Sequence, residues 1–265
     1  NTRGGPGQQA SLFGDPMAMA EQDTKGIFDS IDTVEHHYRL IDSGEGVQSL
    51  AKDLSELKSF CFDTETTGLD PLEAELVGIA FSWEAHHAVY IAFGEERNEI
   101  KSWLEPLKNI FGNKGIEKIG QNLKYDLHIL KNYEIDVKGT LFDTMIAHFL
   151  LKPDQKHKLS IMAEHLLGYS MVDIEDLIGK KGGTQGSFRN VEIERAKEYA
   201  CEDADITWQL AVLFKKQLEE AGIKSLAKDI EMPLVKVLME MEHQGVKLDV
   251  DALKIFAEEL RGEII

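Results

Sequence analysis

Short apolar runs of strand type constrain this chain most: they fall at 60–63, 75–83 and 88–93, and again at 118–121 and 140–142 between segments of helical spacing. An unbroken or alternating apolar run buries a strand, whereas apolar recurrence at three and four residues builds an amphipathic helix. The spacing predicts a first strand over 34–41, a helix over 46–57, and then the strand Phe60-Cys61-Phe62-Asp63. Further helices are predicted over 97–111, 123–131, 144–151 and 160–167, with a long one over 191–220 that ends at Gly222. Glu84-Ala85-His86-His87 reads as a hairpin turn, and both runs it joins are expected to pair with the Asp63 strand. Strands first, then strands interleaved with helices, imply an α/β domain whose mixed central sheet is flanked by helices.

Outside that pattern, residues 1–33 are rich in Gly, Gln, Asp and small residues, and read as a linker or cloning remnant with little fixed structure. The Lys180-Lys181-Gly182-Gly183-Thr184-Gln185-Gly186 stretch reads as a loop. No apolar run approaches the roughly 20 residues that cross a bilayer, so no membrane partner is expected. Two cysteines, Cys61 and Cys201, each inside an apolar or helical pattern, give no support to a disulfide framework, and a reducing cytoplasm fits best. A formal net charge of −18 argues against a broad duplex-binding face, which depends on Lys and Arg to neutralise phosphates. Such a composition still allows an enzyme that grips a few nucleotides and lets divalent cations supply positive charge.

Three clusters carry candidate chemistry. In Asp63-Thr64-Glu65 the carboxylates at i and i+2 share one face of a strand end, where two negative charges repel unless a cation joins them. Thr66-Thr67-Gly68-Leu69 then turns away from that end. In Gln121-Asn122-Leu123-Lys124-Tyr125-Asp126 a short strand breaks into a helix with Asp126 in its first turn, where an acid can also serve as a dipole partner. Tyr199 and Asp203 stand at i and i+4 on one helical face, while Glu202 and Asp205 fall on other faces and are expected to be solvated. His86 and His87, adjacent on a strand, point apart and read as structural; no role is assigned to His157 or His165.

Read in order, Asp63-Thr64-Glu65, Asn122-Leu123-Lys124-Tyr125-Asp126 and Tyr199-x-x-x-Asp203 resemble the three motifs of the DEDDy proofreading nucleases, and the surrounding text resembles the exonuclease domains of the bacterial DNA polymerase I family. The resemblance runs from about residue 34 to the C-terminus, and from about 230 it resembles the opening helices of the polymerase part. It implies a ribonuclease H-like 3′→5′ exonuclease fold over 34–222 and a helical beginning of the polymerase domain over 223–265, with no nucleotidyl-transfer carboxylate and hence no DNA synthesis. It also implies two divalent ions, Mg²⁺ or Mn²⁺, held by Asp63, Glu65, Asp126 and Asp203. Asp63 would bridge both, Glu65 and Asp203 would complete the nucleophile side, and Asp126 would serve the other through water. Tyr199 would orient the attacking water, Leu69 would wedge against the terminal base, and Thr66, Gln121, Asn122 and Tyr125 would hold the last nucleotides of a single-stranded DNA 3′ end. Phe188 would stack on a base or lie in the core.

The same resemblance implies a monomer working with the remainder of a polymerase in cis near the bacterial nucleoid. Gln9-Ala10-Ser11-Leu12-Phe13 resembles the short peptides by which bacterial replication proteins bind the sliding clamp. Two rivals remain: a ribonuclease D-like RNA-trimming nuclease, against which the polymerase-like C-terminus speaks, and a non-catalytic scaffold, against which the intact acids speak.

Overall fold

A computed structural model describes residues 28–180 and 185–264. The clamp-like peptide, most of the expected linker and Lys181 to Thr184 of the glycine loop lie outside the described residues. Among the described residues six strands form one mixed sheet: β1 (His37–Ile41), β2 (Ser59–Thr66), β3 (Leu76–Glu84), β4 (His87–Ala92), β5 (Glu117–Gly120) and β6 (Leu141–Asp143). Their spatial order is β1-β4-β3-β2-β5-β6. β3 runs antiparallel to β2 and β4, while β1 beside β4, β5 beside β2 and β6 beside β5 are parallel.

The hairpin falls at the expected turn, with His86 in a left-handed conformation (φ 64°), but β4 does not pair with β2. Its outer edge takes β1, and the second edge of β2 is occupied by β5, so each strand of the hairpin has one neighbour inside it and another outside.

Helices cover both faces. α1 (Gly44–Ser55) and α2 (Arg97–Phe111) pack on Phe60, Phe62, Ile79 and Phe81, joined by α3 (Leu123–Asn132). On the other face, α4 (Thr144–Leu151), α5 (Leu159–Leu167) and the short α6 (Ile174–Ile178) gather around α7 (Ile193–Glu220), which crosses β2, β3 and β4. Alternation along β2 sorts its side chains: Phe60 and Phe62 enter the α1–α2 core, whereas Cys61 enters the α7 side. Both cysteines are free and buried.

Three further helices follow: the single turn α8 (Lys224–Leu226), α9 (Met232–Gln244) and α10 (Val250–Ile264), with a π-helical turn over Ala227–Glu231. α9 packs against α3, while α10 buries no residue. None of the helices among the described residues is long and apolar enough to cross a membrane.

Candidate metal centre

Asp63 and Glu65 keep the parity of Cys61, so both carboxylates leave β2 on the side covered by α7. There they meet Asp203, and one carboxylate oxygen from each of the three lies within 4.8 Å of the others. Glu65 is buried, and its Oε1 has no hydrogen-bond partner among the described residues. Burial pushes the Asp63 carboxyl up to about 6. Burial and then the neighbouring Asp63 raise Glu65 and Asp203 well above the carboxylate range. The Tyr199 hydroxyl draws Asp203 back down, and Lys158 does so from a distance, its own ion pair being with Asp173 at 3.9 Å. A buried, unpaired acceptor among three hard oxygen donors that repel one another is the environment a divalent cation relieves.

Asp126 is held differently. Thr64 has the opposite parity and faces α3, and β5 pairs only with residues 59–61 of β2, leaving the Thr64 amide free sideways. Both the Thr64 N–H (3.0 Å) and its hydroxyl (2.5 Å) donate to Asp126 Oδ1. Asp126 is buried, and burial followed by the Asp63 charge raises its carboxyl, against the opposing effect of the two Thr64 bonds. The three-acid cluster thus excludes Asp126, which stands beside it across the edge of the strand.

A cleft of about 430 Å³ opens over Glu65, Thr66, Leu69, Tyr125, Ile178 and Tyr199. Leu69 projects into solvent with 81% of its surface exposed. The Tyr125 hydroxyl donates to the Gly68 carbonyl at 2.6 Å and also bonds the Thr66 hydroxyl, tying the Gly68 turn to α3. Burial and then Asp203 push the Tyr199 phenol up, so it stays protonated at neutral pH. Phe188 is buried against Tyr199, with ring centroids 5.8 Å apart, a member of the core that also lines the cleft. Gly78, paired with Glu65, must be glycine: a Cβ there would lie 2.1 Å from the Tyr90 hydroxyl, whose ring fills the space beneath the acids.

Gln121 and Asn122 are divided by the fold. The Gln121 amide is engaged within the protein, Nε2 donating to the His157 carbonyl at 3.0 Å and Oε1 accepting from the Thr144 hydroxyl. Asn122 is exposed. His157, left without a role by its spacing, meets buried His148 with 2.7 Å between their Nδ1 atoms.

The expectation that Glu202 and Asp205 are solvated is wrong. Both are buried: Glu202 accepts from the Tyr169 hydroxyl and the Val172 amide, each at 2.8 Å. Asp205 accepts from the Tyr38 hydroxyl (2.8 Å), the His86 amide and the Gln209 amide (each 2.9 Å). Apart from Gln209, one helical turn from Asp205, these partners are remote in sequence, so the helical period alone could not reveal them. Asp143, also missed, does leave a local signal, since an acid at a strand end before an apolar helical run is an N-cap pattern.

The mixed sheet, with helices on both faces and Asp63, Glu65, Asp126 and Asp203 gathered at one end, has the ribonuclease H-like fold of 3′→5′ exonucleases. Residues 38–219 match the 3′-5′ exonuclease family, and the chain belongs to that family. Among curated proteins it is 36% identical over 251 residues to the DNA polymerase I of Borreliella burgdorferi, an alignment that covers 93% of this chain and 26% of that relative. The chain therefore spans about a quarter of the length of such relatives. Among solved structures, the POL domain of Pol1 from M. smegmatis, complexed with DNA primer-template and dNTP, is similar with a TM-score of 0.67 at 20% identity, covering 85% of this chain and 35% of that one. Brucella melitensis NrnC gives a TM-score of 0.61 at 20% identity, covering 79% and 93%. At such identity these likenesses speak for the fold, which agrees with the α/β architecture expected from the sequence.

Proposed function

We propose that the chain removes nucleotides one at a time from the 3′ end of a single DNA strand, as the proofreading part of a DNA polymerase I-type enzyme. The orphaned Glu65 oxygen within the Asp63–Glu65–Asp203 cluster carries this reading. Asp63, Glu65 and Asp203 would hold one divalent ion, Mg²⁺ or Mn²⁺, and Asp126 beside them would help to hold a second. When bound, such ions lower the pKa of water and offset charge on the departing oxygen.

The chain's own groups supply the geometry. Tyr199, protonated because burial and Asp203 raise its phenol, orients a water for in-line attack on the terminal phosphodiester. The phosphorus–3′-oxygen bond breaks, releasing a nucleoside 5′-monophosphate and leaving a 3′-hydroxyl on the shortened strand. Exposed Leu69 wedges against the last base, while Thr66, Tyr125 and Asn122 face the sugar-phosphate. Gln121 acts on the strand through the segment it braces at His157.

Residues 34–222 form the nuclease unit, and 223–264 begin the polymerase part in cis. Exposed Leu234, Val237 and Met241 on α9, with Leu253 and Phe256 on α10, support a further covering layer of that kind. The unit acts as a monomer in the cytoplasm, and Gln9-Ala10-Ser11-Leu12-Phe13 serves as a sliding-clamp tether.

A 5′-labelled single-stranded oligonucleotide, incubated with Mg²⁺, Mn²⁺ or EDTA, tests the reading. A metal-dependent ladder shortening from the 3′ end, abolished in the Asp63→Ala, Glu65→Ala double variant, is the expected result. No cleavage in either metal means that the domain is a scaffold. Preference for an RNA strand of the same sequence moves the substrate to RNA.

A further inference from the structure

Helix α3 begins in an unusual way. Its N-cap, Asn122, lies in the left-handed region (φ 60°, ψ 45°), and its side chain makes no capping hydrogen bond. An asparagine at an N-cap ordinarily turns its own carbonyl onto the N–H of the second or third helical residue. Here the Tyr125 amide is taken by the Asn122 backbone carbonyl at 3.0 Å, and the two amides before it, those of Asn122 and Leu123, are bound from another strand. Asp143, at the end of β6, accepts from the Leu123 amide at Oδ2 (2.7 Å) and from the Asn122 amide at Oδ1 (3.2 Å). The same Oδ1 caps α4 through the Met145 amide (2.9 Å) and the Ile146 amide (3.3 Å). Asp143 is 2% exposed, and its own amide donates to the Met232 sulfur of α9 at 3.1 Å.

One buried carboxylate therefore fixes two helix starts. It holds Asn122 in the left-handed region, which asparagine tolerates better than other non-glycine residues and which the two bonds to Asp143 keep in place. The Asn122 side chain, relieved of capping, stays exposed at the site end of the sheet, one turn before Asp126.

We propose that Asp143 is a positioning residue of the nuclease site. By holding the Asn122 and Leu123 amides from β6 it keeps Asn122 left-handed, a conformation from which its side chain makes no cap and can bind the sugar-phosphate of the substrate strand, and it fixes the helical turn that presents Tyr125 and Asp126. Without it, the Asn122 side chain falls back onto its own helix and is lost to the substrate. This rests on the proposed single-strand nuclease function, and it adds a residue which contacts neither substrate nor ion.

The test is a double-mutant cycle. Asp143→Ser keeps a hydroxyl that can cap α4 but is too short to reach Leu123, and the isosteric Asp143→Asn serves as a second variant should the serine fold poorly. Each is combined with Asn122→Ala, and KM and kcat for the labelled oligonucleotide are measured in Mg²⁺. Asn122→Ala alone should raise KM about 3- to 10-fold, the effect of one lost hydrogen bond. In either Asp143 background it should change KM by less than about 2-fold, because the two residues act as one unit.

Amide hydrogen exchange without metal supplies a readout independent of activity: protection at 122–126 should fall about tenfold in the Asp143 variants. Ser43→Ala, which removes the N-cap of α1, controls for general loss of a cap and should leave KM unchanged. Effects that multiply, an Asn122→Ala variant with native KM, or unchanged exchange at 122–126 would each overturn the inference. An intact chain that degrades no strand overturns the proposed function instead, and exchange at 122–126 still decides whether Asp143 caps α3.

Discussion

On the α7 side of β2, Asp63 and Glu65 meet Asp203 with one carboxylate oxygen left unpartnered, whereas on the α3 side Thr64 donates twice to a single oxygen of Asp126. The two regions are separated by the pleat of one strand. Three acids thus carry repulsion that the protein leaves unrelieved, and the fourth is partly stabilised before any ion arrives. The difference implies unequal affinities: a cation gains more by entering the three-acid cluster than by joining Asp126.

The largest expected effect breaks the cluster itself. Asp203→Asn should lower strand degradation by roughly a thousandfold, the scale for removing one electrostatic partner of a transition state. In a metal-free thermal melt it should also raise Tm by about 2–4 °C, because a like charge is removed from a buried group. Asp126→Asn should cost activity too but raise Tm less. An equal rise in both variants would erase the distinction between the two sides.

A second expectation concerns pH. The Asp63 carboxyl, raised to about 6 by burial, keeps a proton in the folded state that the unfolded chain has lost. Between about pH 4 and 6 the folded state therefore binds more protons, so metal-free stability falls as pH rises through that window, and Glu65, Asp126 and Asp203, raised further by burial and then by the Asp63 charge, carry the decline beyond it. A divalent cation needs the deprotonated cluster, and its stabilisation should grow as the proton leaves. Mn²⁺ at about tenfold its dissociation constant should raise Tm by about 3–6 °C at pH 7.5 and hardly at all at pH 5. Equal shifts at both values would put the ion elsewhere.

The smallest effect sharpens the other side. Thr64→Val keeps the shape and the backbone donor but removes the hydroxyl donor to Asp126. The Mg²⁺ concentration giving half-maximal activity should rise a few-fold, with native affinity for the first ion in calorimetry. A change in that first affinity would mean that Thr64 braces Asp63 and Glu65 instead.

Much of this arrangement was legible beforehand. Period-2 alternation is a local property, so it put Asp63 and Glu65 on one face, and helical spacing paired Tyr199 with Asp203. The strand and helix runs were found to within a few residues. What escaped depends on partners far along the chain. β4 was expected beside β2 because both runs are apolar, but strand order is a matter of edges already taken. Glu202 and Asp205 read as solvated because the donors that satisfy them, Tyr169, Val172, Tyr38 and His86, belong to other elements.

Helix α7 consequently mixes two duties at single-residue intervals. Asp203 joins the acidic cluster with Asp63 and Glu65, while Glu202 and Asp205 staple the helix to the α5–α6 connection, to β1 and to the β3–β4 turn. Loss of activity on changing an acid of this run therefore has two meanings. At position 203 a silent nuclease keeps its architecture and can serve as a trap for the strand, whereas at 202 or 205 the silence reports a helix that has slipped its anchors.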